Sequence, residues 1–145
     1  MFFLRGLVVA SVALNLVACS SSSDAPEESG PSFKGTVHPI LAQSCSLTAC
    51  HGSKESNLGI YIPSSPADVH ATLMTESPTA RGAKFVVPGN PDASYLMMKI
   101  DGTQGQLEAK CSGTCGAQMP LDLPVLSDSE RAAIRAWILA GAKND

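Results

Sequence analysis

Apolar residues recur at spacings of three and four along much of this 145-residue chain, and nowhere do they alternate with a period of two long enough to suggest a sheet. Phe33, Val37, Ile40, Leu41 and then Ser44 follow such a spacing and predict a first helix, in which Pro39 is tolerable because it falls in the first turn. Ser65-Pro66-Ala67-Asp68 has the form of an N-cap with proline at the first helical position, and predicts a short helix through Val69, Leu73 and Met74. Asn90-Pro91-Asp92 repeats that start, and the helix it predicts runs through Tyr95, Leu96 and Ile100 before Gly102. The last helix carries the fullest set of signals. Ser127 and Glu130 make an S-x-x-E capping box, Ile134, Trp137 and Ile138 form one stripe, and Gly141 stops it. The pattern therefore predicts an all-α domain of about four short helices joined by long loops, for which 12 glycines and 10 prolines account.

The first 18 residues do not fit that domain. Arg5 supplies a positive start and Gly6 to Ala18 is nearly all apolar, too short to span a bilayer and suited to the apolar region of a signal peptide. The run ends in Leu16-Val17-Ala18-Cys19, which resembles the lipobox of bacterial lipoproteins. That resemblance implies export, lipidation of Cys19 as the first mature residue, and anchoring to a bacterial membrane facing the periplasm or the cell exterior. A plain secretory signal cut near Ala18 would leave Cys19 a spare thiol. Its place directly after small residues at the end of the apolar run favours the lipid. Residues 20–32 are rich in serine and hold no aliphatic or aromatic core residue, so residues 19–32 read as a flexible tether and 33–145 as the folded domain.

Charge narrows the partners. Loss of the leader removes only Arg5, leaving 9 basic residues against 13 acidic ones, a net of −4. No Lys/Arg run or basic patch is present, which argues against nucleic acid. The acidic balance suits a basic or neutral docking partner.

The candidate chemistry lies in Cys45-Ser46-Leu47-Thr48-Ala49-Cys50-His51-Gly52. Two thiols followed at once by an imidazole is the arrangement that holds haem covalently, the thiols adding across the vinyl groups and the histidine reaching the iron. The spacing is C-x4-C-H in place of the usual C-x2-C-H, a variant that tetrahaem cytochromes also carry. Residues i and i+3 share a helix face, but residues five apart sit about 140° around it, so 45–51 cannot stay regular and two residues must bulge out. Met119, ahead of Pro120 in a Gly/Pro-rich stretch, is biased towards extended backbone and held in a loop, where its thioether could serve as a distal ligand. Met74, Met97 and Met98 lie at helical positions and read as core. Cys111 and Cys115 are followed by Gly116 where a second haem motif would need histidine, and in an exported protein they read as a disulfide that stiffens the loop before Met119. His38 and His70 read as solvated surface residues. Two alternatives stay open on the residues alone: a Cys45–Cys50 disulfide with His51 merely adjacent, and a four-thiolate zinc site made of Cys45, Cys50, Cys111 and Cys115.

Taken together, several of these pieces resemble a small class I c-type cytochrome domain, as found in bacterial lipoproteins and planctomycete-like multidomain proteins. The resemblance is carried by Val37 with Pro39-Ile40-Leu41; by Cys50-His51-Gly52; by Val87-Pro88-Gly89-Asn90-Pro91 with Ser94 and Leu96; by Met119-Pro120; and by Leu126-Ser127, Glu130, Ile134, Trp137-Ile138 and Gly141-Ala142, in that order. It implies a cytochrome c-like fold in which the first and last helices cross, with Phe33 and Val37 on Ile134 and Trp137. It also implies covalent haem c on Cys45 and Cys50, His51 as proximal and Met119 as distal iron ligand, and single-electron transfer by a monomer to a redox partner protein. No catalytic acid–base pair stands near either motif, so the chain reads as an electron carrier and not an enzyme. A small haem enzyme or sensor would need Met119 to be off the iron.

Overall fold

A computed structural model describes residues 30–55 and 60–145. The predicted leader, Cys19 and most of the tether lie outside the described residues. Helix α1 (His38–Cys45) continues from a wider π-helical turn over Phe33–Val37; α2 spans Pro66–Leu73, α3 Tyr95–Asp101 and α4 Asp128–Leu139. Short 3-10 turns cover Pro91–Ala93 and Gln104–Lys110, the second of which the sequence pattern did not predict. Among the described residues there is no strand, only isolated bridges pairing Glu76 with Lys84 and Ala80 with Cys111. The fold is all-α.

The expected first helix opens wide for a chemical reason. Pro39 has no N–H to offer the carbonyl four residues back, so a regular ladder cannot run through this stretch. Ser32 takes up the slack: its hydroxyl accepts from Gly35 N–H at 3.1 Å and its carbonyl accepts from Thr36 and Val37. Phe33 and Val37 are thereby turned inward, and both are fully buried.

Phe33 meets Trp137 of α4 with ring centroids 5.1 Å apart. Ile134, Trp137 and Ile138 are buried as one stripe. The chain end closes the same corner, where Lys34 N–H donates to the Asp145 carbonyl and Trp137 Nε1 to the Lys143 carbonyl, both at 2.9 Å. Arg135 ties α4 to α3 through Asp101 (2.8 Å) and to the Pro91 turn through Asp92. These partly exposed pairs fix orientation more than they add stability.

The helix expected from Asn90 is interrupted. Asn90 caps only the turn Pro91–Ala93, and Ser94 is extended and fully buried before α3 begins. Its hydroxyl donates to the Asn90 carbonyl and accepts from Val87 N–H, while Tyr95 and Leu96 give their N–H groups to Lys84 and Phe85 carbonyls. Those N–H groups are spent on the 84–87 segment, so a continuous helical ladder is unavailable. Gly102, at φ +73°, ends α3.

His38 and His70 are not simply solvated. His70 Nε2 bonds the Ala142 carbonyl at 2.8 Å and its ring meets Phe33 edge-on, with centroids 5.1 Å apart; His38 Nε2 bonds the Ser64 carbonyl at 3.2 Å. Both imidazoles serve as packing groups around Phe33. A helical-face argument missed this because the partners come from other segments.

At the start of α4 both halves of the capping box form. Ser127 Oγ accepts from Glu130 N–H at 3.3 Å and Glu130 accepts from Ser127 N–H at 2.8 Å. The Ser127 hydroxyl, and then its N–H, hold the Glu130 carboxyl below its ordinary range. A carboxyl whose pKa is lower in the folded chain stabilises fully above the unfolded value, about 4.3, and loses that contribution as pH falls through the folded value. Ser127→Ala is therefore expected to cost about 1 kcal/mol at neutral pH. That deficit should shrink in acid, a comparison readable from urea midpoints of the two proteins at neutral and acid pH.

Candidate functional site

Helix α1 delivers Cys45 at its last position, and the backbone then folds into a tight excursion. Cys50 and Gly52 both donate to the Leu47 carbonyl, at 2.8 and 2.9 Å, and His51 N–H donates to the Cys45 carbonyl at 3.0 Å. A helical residue normally bonds the carbonyl four back. Here His51 bonds six back, so two residues are left out of the ladder and Leu47, Thr48 and Ala49 are exposed. A C-x2-C-H spacing would make the same Cys-to-His pairing by the ordinary route. The extra residues therefore change the loop and not the junction. Gly52 makes this possible: a Cβ there would lie 2.4 Å from the Ser46 carbonyl oxygen and 2.7 Å from Leu47 backbone atoms.

His51 is fixed by a second segment. Its Nδ1 lies 3.2 Å from the Ile60 carbonyl, and Ile62 N–H donates back to the His51 carbonyl at 3.1 Å. A carbonyl oxygen can only accept, so Nδ1 carries the proton and Nε2 keeps its lone pair. Burial lowers the His51 pKa, the bond to the Ile60 carbonyl works against that, and the Lys99 charge lowers it further. Burial, together with the neighbouring Cys50 sulfur, pushes the Cys45 thiol up to about 11. Cys45 and Cys50 both remain thiols.

Met119 arrives on a loop with no helix of its own. Cys111 and Cys115 are joined by a disulfide at its start, and the Met119–Pro120 peptide is cis. The carbonyls of 115–117 all find donors on α3 or just beyond it. Tyr95 Oη and Lys99 Nζ donate to Cys115 at 3.1 and 2.9 Å, Gln104 Nε2 to Gly116 at 3.0 Å, and Lys99 Nζ also to Ala117. In return the loop caps the end of α3, where the last carbonyls of a helix have no partner of their own. Met119 N–H donates to Lys99 and Gln118 Nε2 to Ile100, both at 2.8 Å.

One cavity of about 290 Å³ is lined by Cys45, Cys50, His51 and Met119 together. Leu41, Leu73, Phe85, Ile100 and Leu126 supply an apolar lining, and Lys99 brings a cationic group to it. Cys115 also lines it; His38 and His70 do not. With Cys111 and Cys115 spent on each other, the four cysteines do not stand as a thiolate set. Sequence reasoning missed Ile60, Tyr95 and Lys99. Tyr95 and Lys99 share a face of α3 four residues apart, but nothing in the sequence says that this face meets residues 115–119.

Comparison of the chain with protein-family models, with curated proteins and with solved structures gives no match.

Proposed function

We propose that the chain is an exported electron carrier on a cytochrome c-like fold, holding one covalent haem c between His51 and Met119. The observation that carries this reading is the convergence of two thiols, a neutral imidazole and a thioether, from two remote loops, on one largely apolar cavity. The donor set suits the group. His51 Nε2 has its lone pair available because Nδ1 is committed to Ile60, an arrangement that also fixes the ring's orientation. Cys45 and Cys50 supply the S–H groups for two thioether links. Met119 supplies the sulfur that, paired with histidine, favours a fairly positive reduction potential. Bound there, the haem iron would alternate between ferric and ferrous states and so carry one electron. The apolar lining would limit the access of water to the bound group, and the hydrogen bonds around His51 and residues 115–119 would hold the two ligand side chains in place.

On the same reading the lipid on Cys19 anchors the protein, residues 19–32 hold the domain off the membrane, and a redox protein is the partner. In this reading the protein acts as a monomer and as a carrier, not an enzyme. A haem-free lipoprotein with a Cys45–Cys50 disulfide is the competing outcome. The zinc alternative is weakened because the Cys111–Cys115 bond removes two of its four ligands.

The test is expression of the full chain in a host able to attach haem. Haem that stays with the denatured polypeptide is expected, with the methionine–iron band in the oxidised spectrum. Changing both Cys111 and Cys115 to serine should weaken that band. A colourless protein from such a host would overturn the proposal, and bound zinc without haem would favour the alternative.

A further inference from the structure

The distal loop is fastened to α3 by many bonds, but one residue holds it at both ends. Lys99 Nζ donates to the Cys115 carbonyl at 2.9 Å and to the Ala117 carbonyl, while the Lys99 carbonyl accepts from Met119 N–H at 2.8 Å. Lys99 is partly exposed and lines the same cavity as the candidate ligands. Its two acceptors are backbone carbonyls, which fix the geometry of the ammonium without neutralising its charge.

We propose that Lys99 is the positioning residue for Met119, clasping residues 115 and 117 so that the thioether stays over the cavity. This rests on the haem reading above and adds to it a residue that touches neither iron nor thioether. Helix α3 supplies a rigid base, since Tyr95 one turn earlier donates to the same Cys115 carbonyl at 3.1 Å. Removing the ammonium leaves the Ala117 carbonyl without the donor described here and leaves Cys115 with Tyr95 only. The backbone bond from Met119 to residue 99 survives any side-chain change. The loop should therefore loosen without detaching. A ligand held by such a loop is displaced more easily, because rebinding must first restore the order of the chain that carries it.

The experiment compares the wild-type holoprotein with Lys99→Leu, Lys99→Arg and, as a control at an exposed lysine that does not line the cavity, Lys84→Leu. The measurements are haem retained on the denatured chain, helicity by circular dichroism, the methionine–iron band, and competition by added imidazole. Lys99→Leu is expected to keep covalent haem and helicity, weaken the band, and bind imidazole about tenfold more tightly, the scale of one hydrogen bond from a charged donor. Lys99→Arg, which can still span two carbonyls, should recover most of the band, and Lys84→Leu should match wild type. A general loss of stability would lower helicity along with the band, whereas a positioning role lowers the band alone. Unchanged band and imidazole affinity in Lys99→Leu, with wild type showing normal methionine ligation, would sink the inference and leave the haem reading standing. Wild type without attached haem, or with haem but no methionine band, overturns the haem reading first and this inference with it.

Discussion

Gly52→Ala is expected to destabilise the domain by about 3 kcal/mol and, on the proposed function, to cut sharply the fraction of chains that carry haem. The glycine is not there for its backbone angle, since it is not among the glycines at positive φ. It is there for space. The added methyl would sit 2.4 Å from the Ser46 carbonyl oxygen and 2.7 Å from both the carbonyl carbon and oxygen of Leu47. All three are backbone atoms, so no side chain can swing aside and the loop itself must open. Opening it strains the bonds from Gly52 and Cys50 to Leu47 and from His51 to Cys45. Those bonds set the relation of the two thiols to the imidazole. Urea midpoints of the two proteins test the first half, and haem absorbance per chain after denaturation tests the second. A variant with wild-type midpoint and haem content would show that the loop between the cysteines is not fixed by this contact.

Trp137→Ala should cost about 3–5 kcal/mol, the range for truncating a large buried aromatic residue. Trp137 is 1% exposed, lies against Phe33 at 5.1 Å between centroids and meets His70 edge-on at 6.0 Å. Its removal leaves a void at the one place where the first turn, α2 and α4 meet around Phe33. Domains of this size are stable by roughly 5–15 kcal/mol, so the change takes a large share of the total. Trp137→Phe keeps a ring in the site and loses the Nε1 bond to the exposed Lys143, whose carbonyl water can then serve. It should therefore cost much less. Denaturant unfolding of both variants gives the comparison, and equal losses would mean that the hydrogen bond, not the packing, holds this corner.

Local signals carried most of the helical layout. Ser127 with Glu130, Ser65 before Pro66, and Gly102 and Gly141 past helix ends each act over a few residues, and each element forms beside its signal. The loop between the cysteines was also legible. Residues five apart cannot share a helix face, so two had to leave the ladder, and the His51-to-Cys45 bond realises this. Ser94 was not legible, because its break answers to demands from residues 84–87 that no local pattern contains. His38 and His70 failed for the same reason. The first-turn position of His38 and the polar face that His70 shares with Asp68 suggested solvent, while their partners, the Ser64 and Ala142 carbonyls and the Phe33 ring, come from other parts of the chain.

What the sequence by itself determined is the all-α class, the starts of α2 and α4 and the ends of α3 and α4. Such properties depend on side chains within a turn or two of one another. Only the tertiary structure decided that Cys45, Cys50, His51 and Met119 line one cavity, that Ile60 sets the His51 tautomer, and that α3 grips the Met119 loop through Lys99. Loop carbonyls and helix-end carbonyls must find donors wherever the packed chain offers them, and that choice is made in three dimensions.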